Sequence, residues 1–224
     1  MSADDAGMPS SAAGAWYAAG VRHELLMRVL PAIRHDMAGP LSVVRMGNTV
    51  LRRYLGAEPF DASQSLKRLG QTEEQLQLTV AGIRALSRWD IETADGPPAL
   101  ADIAQAMEMA RPMLDLYGMQ LSESVAAPPA AWPGVVPGRV LYTVLGALAY
   151  LQDSATAPMA IQVEPADGAL HFRSAPTGAA FDLSMRPPTR RLLVDAAALQ
   201  ALCADLRWPV SVAADSVRLD APSA

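Results

Sequence analysis

The sequence predicts an α+β protein built from an antiparallel helical hairpin and a following sandwich of helices on one face of a mixed sheet. Three observations predict it. Two long stretches, from about Tyr17 to Leu55 and from about Ala62 to Asp90, space apolar residues three or four apart and are joined by a short turn. After Gly96-Pro97-Pro98 the pattern changes to shorter helical runs alternating with short β-rich runs. Two of those runs flank Pro165-Ala166-Asp167-Gly168, whose Asp-Gly pair suits a hairpin turn.

In the first helix, Leu26, Leu30, Ile33, Met37, Leu41, Val44, Asn48, Leu51 and Leu55 follow one another along one face. Pro31 and Pro40 should bend it. Gly56 ends it, Pro59 follows, and Asp61 or Ser63 can cap the next helix. That second helix carries Leu66, Leu69, Leu76, Val80, Ile83 and Leu86. Two long amphipathic helices on a short turn lie antiparallel, and a lone pair leaves apolar surface uncovered. A second copy covers it at least cost, as a dimeric four-helix bundle. A monomer whose hairpin is covered by the C-terminal half is the alternative. The expected division is a disordered tail over 1–16, the hairpin over 17–92, a linker over 93–99 and a second domain over 100–224.

In that second domain, Leu100 to Tyr117 reads as a helix with Ile103, Met107, Ala110 and Leu114 on one face. Met119 to Val125 reads as a strand, Ala126 to Pro137 as a proline-rich loop and Arg139 to Gln152 as a strongly apolar helix. Ala160 to Glu164 and Leu170 to Ser174 form the hairpin. Asp195 to Leu206 is a helix, and Val210 to Ala213 with Ser216 to Leu219 a last hairpin. This order suits helices on one face of a sheet.

Composition narrows the function. The chain has 224 residues, 51% of them hydrophobic, which is enough for one good-sized domain or two small ones. Its single cysteine, Cys203, excludes an internal disulfide and a multi-cysteine metal site, and reads as a buried apolar filler. No apolar run is long enough to span a bilayer, and the first residues lack a basic, then apolar, secretory pattern. A cytoplasmic protein with no membrane partner is expected. Ten Lys/Arg and seven Asp/Glu lie between Arg22 and Asp90, against eight and sixteen elsewhere. Arg28, Arg34, Arg45, Arg52 and Arg53 are either a solvated helix face or a cationic surface for an acidic partner pocket. The acidic total and the lack of a basic stripe with interleaved aromatics argue against nucleic acid.

The chemistry centres on Arg34-His35-Asp36-Met37-Ala38-Gly39-Pro40-Leu41-Ser42. At 100° per residue, His35 lies about 200° from both Ile33 and Met37, so it points away from the apolar stripe. An exposed histidine, an adjacent carboxylate and a helix-breaking proline one turn on suggest chemistry more than packing.

His35-Asp36-x-x-x-Pro40-Leu41 resembles the H-box of two-component histidine kinases. The later elements resemble the layout of their ATP-binding domain, the Bergerat or GHKL fold. Leu100-Ala101-Asp102-Ile103 through Arg111-Pro112-Met113-Leu114, and Tyr117 to Leu121, look like its opening helix and strand. Gly138 to Leu145 looks like the approach to its N-box. The resemblance covers about Arg22 to Ala221. The nucleotide motifs are lost. Gly146, Ala149 and Tyr150 stand where oxygen-bearing side chains should hold Mg²⁺. Ser174-Ala175-Pro176-Thr177-Gly178 lacks the adenine-reading aspartate. Asp182 to Arg190 replaces a glycine-rich phosphate lid and contains no glycine. The domain is therefore a degenerate GHKL-like sandwich, with no cofactor and no metal site.

A phosphoacceptor histidine beside such a domain resembles kinase-derived histidine phosphotransferases of the ChpT type. The resemblance implies that His35 takes phosphate from one receiver-domain aspartate and passes it to another, with Asp36 fixing the ring tautomer. Response-regulator receivers would supply Mg²⁺, and Arg34, Gly39, Ser42 and Arg45 are the expected partner contacts. Gly39 stands where phosphatase-competent kinases carry Thr or Asn, so no phosphatase activity is expected. The alternative is a non-catalytic pseudo-histidine-kinase scaffold, so whether the chain is an enzyme stays open. A working kinase lacks its motifs, and His23 and His171 show no spacing for a hydrolase triad or metal.

Overall fold

The computed structural model describes residues 11–58, 60–92, 99–123, 135–178 and 192–220. The described residues form an α+β fold, with five α-helices and a five-stranded mixed sheet among them. Contacts divide the chain into two compact units, one over Leu30–Trp89 and one formed by residues up to Val29 together with those from Asp90 onward. Residues 93–98 of the expected linker over 93–99, most of the proline-rich loop and the segment Asp182 to Arg190 lie outside the described residues, and Ala99 already belongs to a helix.

The larger unit holds the sheet. Helix α3, Ala99–Asp115, buries Ile103, Met107, Ala110 and Leu114, the face read from its spacing. It ends where Gly118 takes a positive φ of 67°, so that Met119 N–H reaches Leu114 O and Gly118 N–H reaches Asp115 O. This is a Schellman cap, which needs a left-handed residue. Strand β1, Gln120–Glu123, follows, and runs parallel to β2, Met159–Ala166. Between them, helix α4, Pro137–Ser154, is buried on nearly every side, as its unbroken apolar sequence requires.

Strands β2 and β3, Ala169–Pro176, pair antiparallel around Asp167 and Gly168. Both turn residues have positive φ, 52° and 74°, which the Asp-Gly pair tolerates. Asp195 caps helix α5, Ala196–Asp205, by accepting from Ala198 N–H at 2.8 Å. Strands β4, Val210–Val212, and β5, Ser216–Leu219, complete the order β1-β2-β3-β5-β4. Alternation sorts the sheet's faces. Ile161, Val163, Leu170, Phe172, Val217 and Leu219 are buried in the core with the helices, while Gln162, Arg173 and Ser216 share the other face in register.

Helix α1, Ser11–Leu55, starts six residues before the expected Tyr17 and runs unbroken through Pro31 and Pro40. Its first part belongs to the larger unit. Ala18, Val21, Leu25 and Val29 form a buried stripe there. Leu25, Leu199 and Leu202 converge on Gly146, where a β-carbon would stand 2.8 Å from Leu202 Cδ2. Arg28, expected on a cationic surface, is a correction: its side chain is fully buried. It falls on the Ala18-Val21-Leu25 stripe and is held there by paired carboxylates.

The smaller unit contains the rest of α1 and helix α2, Ala62–Ala85, which continues as a 3-10 turn over Leu86–Trp89. Asp61 is the cap, its Oδ1 accepting from Gln64 N–H at 3.0 Å. Gly47 faces Thr72 and Gly82 faces Met37, so the helices run antiparallel. The helix-helix seam differs from the expected stripes. On α1, Met37, Val44, Gly47 and Leu51 are half-buried, while Leu41, Asn48 and Leu55 are exposed. A two-helix seam repeats every 3.5 residues, which selects 37, 44 and 51 and leaves 41, 48 and 55 on its flank. On α2 the shielded positions are polar or small: Ser65, Arg68, Thr72, Gln75, Thr79 and Gly82. The leucine-rich stripe faces out, and Leu66, Leu69, Leu76, Val80, Ile83 and Leu86 are 38% to 68% exposed.

Candidate functional site

His35 sits mid-helix on α1, with its side chain 89% exposed and that of Asp36 78% exposed. The orientation follows from spacing. Ile33 and Met37 take the shielded side, so the residue between them points out. His35 Nδ1 is 3.5 Å from Asp36 Oδ1, at the outer limit of a hydrogen bond. Asp36 thus touches the ring only weakly.

Pro40 has no N–H to give to the carbonyl four residues back, which belongs to Asp36. One helical carbonyl beside His35 thus loses its intrahelical donor. A β-carbon on Gly39 would meet nothing within 4 Å, so the surface one turn after His35 is bare. Ser42 follows on the same line, seven residues from His35, or about 10 Å along the axis. Its Oγ donates to Ala38 O at 2.8 Å, and Thr49 Oγ1 donates to Arg45 O at 3.1 Å. Ser42, Arg45, Met46 and Thr49 line a shallow open hollow on α1. Arg34 and Arg45 are exposed. His35, Gly39 and Ser42 therefore share one line of the helix surface, while Asp36 and Arg45 stand about 100° and 80° to opposite sides of it.

The positions read as a lost nucleotide site are structural here. Gly146 is packed against Leu199 and Leu202, which would have to shift to admit a side chain. Ala149 is buried, and the Tyr150 hydroxyl donates to Ala213 O at 2.9 Å. Among the described residues no group of three or more His, Cys, Asp or Glu could hold a metal ion. None of the described helices is long and apolar enough to cross a membrane.

Two features escaped the sequence. One is a buried ion network: Arg28 donates to Asp153 Oδ1 at 3.0 Å and Oδ2 at 2.7 Å, to Glu24 at 3.0 Å and to Leu192 O at 3.0 Å. Burial works against the Arg28 charge, yet the two carboxylates outweigh it and raise its pKa. The available signal was an arginine on an apolar stripe. The other is an apolar groove beside Trp16, made with residues distant in sequence, for which no local signal existed.

No family model matches the chain. No curated protein matches it either. Among solved structures, one described as a bacterial phosphotransferase aligns over 88% of this chain and 94% of its own, at 13% identity and a TM-score of 0.30. That likeness is too weak to carry an argument about this chain.

Proposed function

We propose that this chain is a histidine phosphotransferase of a two-component phosphorelay, of the kind derived from histidine kinases, carrying phosphate between receiver aspartates on His35. The observation that carries the proposal is His35 itself, exposed at 89% beside Asp36 on an unbroken helix. Neutral imidazole is a good nucleophile near neutral pH. In the step, Nε2 attacks the phosphorus of a receiver's aspartyl phosphate. A P–N bond forms, the P–O bond to the carboxyl breaks, and the aspartate leaves as carboxylate. Asp36 stabilises the positive ring through Nδ1–H. The reverse step on a second receiver returns the phosphate to an aspartate.

Such transfer rests on positioning and charge neutralisation. The receiver brings Mg²⁺, and Arg34 and Arg45 attract its acidic pocket. Gly39 and Ser42 form the close-approach surface. Gly39 offers no group to orient water against a receiver's aspartyl phosphate, so no phosphatase step competes with transfer. The exposed α2 stripe is covered by a second copy, giving a homodimeric four-helix bundle. The sheet-bearing unit is a degenerate GHKL-like domain whose packed Gly146 and hydrogen-bonded Tyr150 support a binding rather than a nucleotide-using role.

The test is transfer of label from phosphorylated receiver domains of the source organism to the purified chain, beside His35→Ala. Label on the wild type and none on the variant is expected. A folded wild-type chain that takes no label from any receiver overturns the proposal and leaves the scaffold reading, in which the protein binds a regulator or kinase without chemistry.

A further inference from the structure

The outward face of the sheet carries a row of polar side chains with no part in the phosphotransfer proposed above. Glu164 on β2 stands opposite His171 on β3, His171 opposite Arg218 on β5, and Arg218 opposite Ser211 on β4. Side chains directly opposite one another on neighbouring strands start about 4.5–5.5 Å apart at their β-carbons. The core side chains Leu170, Phe172, Val217 and Leu219 point to the other face. A shallow open hollow of about 280 Å³ lies over the row, with His171, Arg173, Ser211 and Arg218 in its lining. These side chains can therefore exchange partners without disturbing the core.

The contacts set the state of the imidazole. Arg218 Nη1 is 3.1 Å from His171 Nε2. A guanidinium has donors and no acceptor. Nε2 is therefore the accepting nitrogen, so the ring is neutral and carries its proton on Nδ1. Arg218 is steadied from behind, its Nε donating to Asp220 Oδ1 at 2.6 Å. On the other side of the ring, Glu164 is taken by Arg173, whose Nη1 donates to Oε1 at 2.6 Å. Among the described residues, the charged groups facing His171 are thus Glu164 from β2, Arg218 from β5 with Asp220 behind it, and Arg173 on its own strand. Strand β4 offers the neutral Ser211.

We propose that this row is a proton-operated changeover: a proton added at His171 Nε2 breaks the bond to Arg218 and draws Glu164 from Arg173 to the imidazolium. The proton occupies the lone pair that Arg218 uses, and it sets two cations side by side. It also places a cation directly across from a carboxylate. Imidazole is the side chain suited to this, because it ordinarily changes charge between pH 5 and 8, where guanidinium does not. Before the proton arrives, Arg173 holds Glu164 and Asp220 holds Arg218. Afterwards Arg218 keeps Asp220 and Arg173 is left open. One proton thereby decides whether the outward face of the sheet presents Arg173 paired or free.

The test is NMR of the full chain labelled with ¹⁵N. The ring signals of His171 are told from those of His23 and His35 by their loss in His171→Gln. Those of the Arg173 guanidinium are identified by their loss in Arg173→Lys. Matching melting temperatures at neutral pH confirm that the variants fold. While the ring is neutral, Nε2 should show the shift of a bare nitrogen and Nδ1 that of a protonated one. Arg218→Met, which removes the donor, should erase this one-sided pattern. On acidification both ring nitrogens become protonated. The Arg173 Nη signals, held apart by the ion pair, should then merge as the guanidinium rotates freely. Over the same pH change they should stay apart in His171→Gln. A neutral ring with its proton on Nε2, or a pattern unchanged in Arg218→Met, overturns the proposal. So does an Arg173 signal that ignores protonation of His171 or merges equally in His171→Gln. His35→Ala should leave every one of these signals in place, so the changeover and the phosphorelay stand or fall separately.

Discussion

Residues 11–29 and 30–55 are consecutive parts of one helix, yet they sit in different kinds of surroundings. In the first part, Ala18, Leu25 and Val29 are at most 1% exposed, and even an arginine is enclosed. In the second, shielding past Ile33 is only partial, Leu41 and Met46 stand at 48% and 65% exposure, and the facing α2 offers serine and threonine. The larger unit closes its core within one chain. The smaller unit spends its apolar residues on the outside, where only another surface can use them. Apolar spacing alone cannot tell these situations apart, because it says which residues share a face and not what meets that face.

The largest expected effect tests how closed the larger unit is. Arg28→Met leaves the Asp153 carboxylate buried without its guanidinium. Losing one partner of a buried pair costs about 3–5 kcal/mol. The urea midpoint of the chain should fall accordingly, and Arg28→Met with Asp153→Leu should recover most of it. A single variant that costs less than about 1 kcal/mol, as exposed pairs do, would show that this interior is open to water.

The smaller unit should respond in the opposite way. Leu69 and Leu76 are each 50% exposed. In an isolated chain, Leu69→Glu with Leu76→Glu should change stability by only about 0.5 kcal/mol per site, as for ordinary surface positions. Covered by a second copy, each leucine contributes about 1.5–3 kcal/mol. Sedimentation should then show a dimer for the wild type and a monomer for the double variant. A wild type that is monomeric at all concentrations would break the comparison, since the α2 stripe would have no copy to meet.

Cys203 sharpens it through pH. It is buried in the larger unit, and burial pushes its thiol up to about 12 from 9.0. The folded value lies above the unfolded one. Its contribution to stability is thus complete below pH 9 and is lost as pH rises from 9 toward 12. The loss is about 1.4 kcal/mol per pH unit in that window. Cys203→Ala should lack that slope. Below pH 9 the native thiol should resist labelling until the chain unfolds.

Much of this arrangement was legible in the residues. The Asp-Gly turn, the cap at Asp61 or Ser63 and the helix end before Gly118 are local devices, and local devices can be read one at a time. The outward direction of His35 followed from its place between Ile33 and Met37. What the chain hid depends on residues far apart. Arg28 looked like surface because Asp153, which encloses it, lies 125 positions away. The polar side of α2 was invisible because serine and threonine shield a seam only when they bond their own helix, as Thr79 Oγ1 does to Gln75 O at 3.0 Å.

That hydroxyl supplies the smallest expected effect and the finest contrast. Thr79 is 5% exposed in the smaller unit, and Val144 is fully buried in the larger one. Valine and threonine have nearly one shape, so exchanging them changes polarity more than volume. Val144→Thr brings a hydroxyl into a sealed apolar core, at a cost of about 1–3 kcal/mol. Thr79→Val removes a hydroxyl whose bond to its own helix contributes little, and the net change should stay within about 0.5 kcal/mol. Thermal melts of the two variants side by side measure the difference. If both cost the same, the seam in the smaller unit is as demanding as the core of the larger, and its threonines are structural in their own right. If Thr79→Val is neutral, that seam is tolerant, and the packing that holds the smaller unit together lies on its outward leucine face.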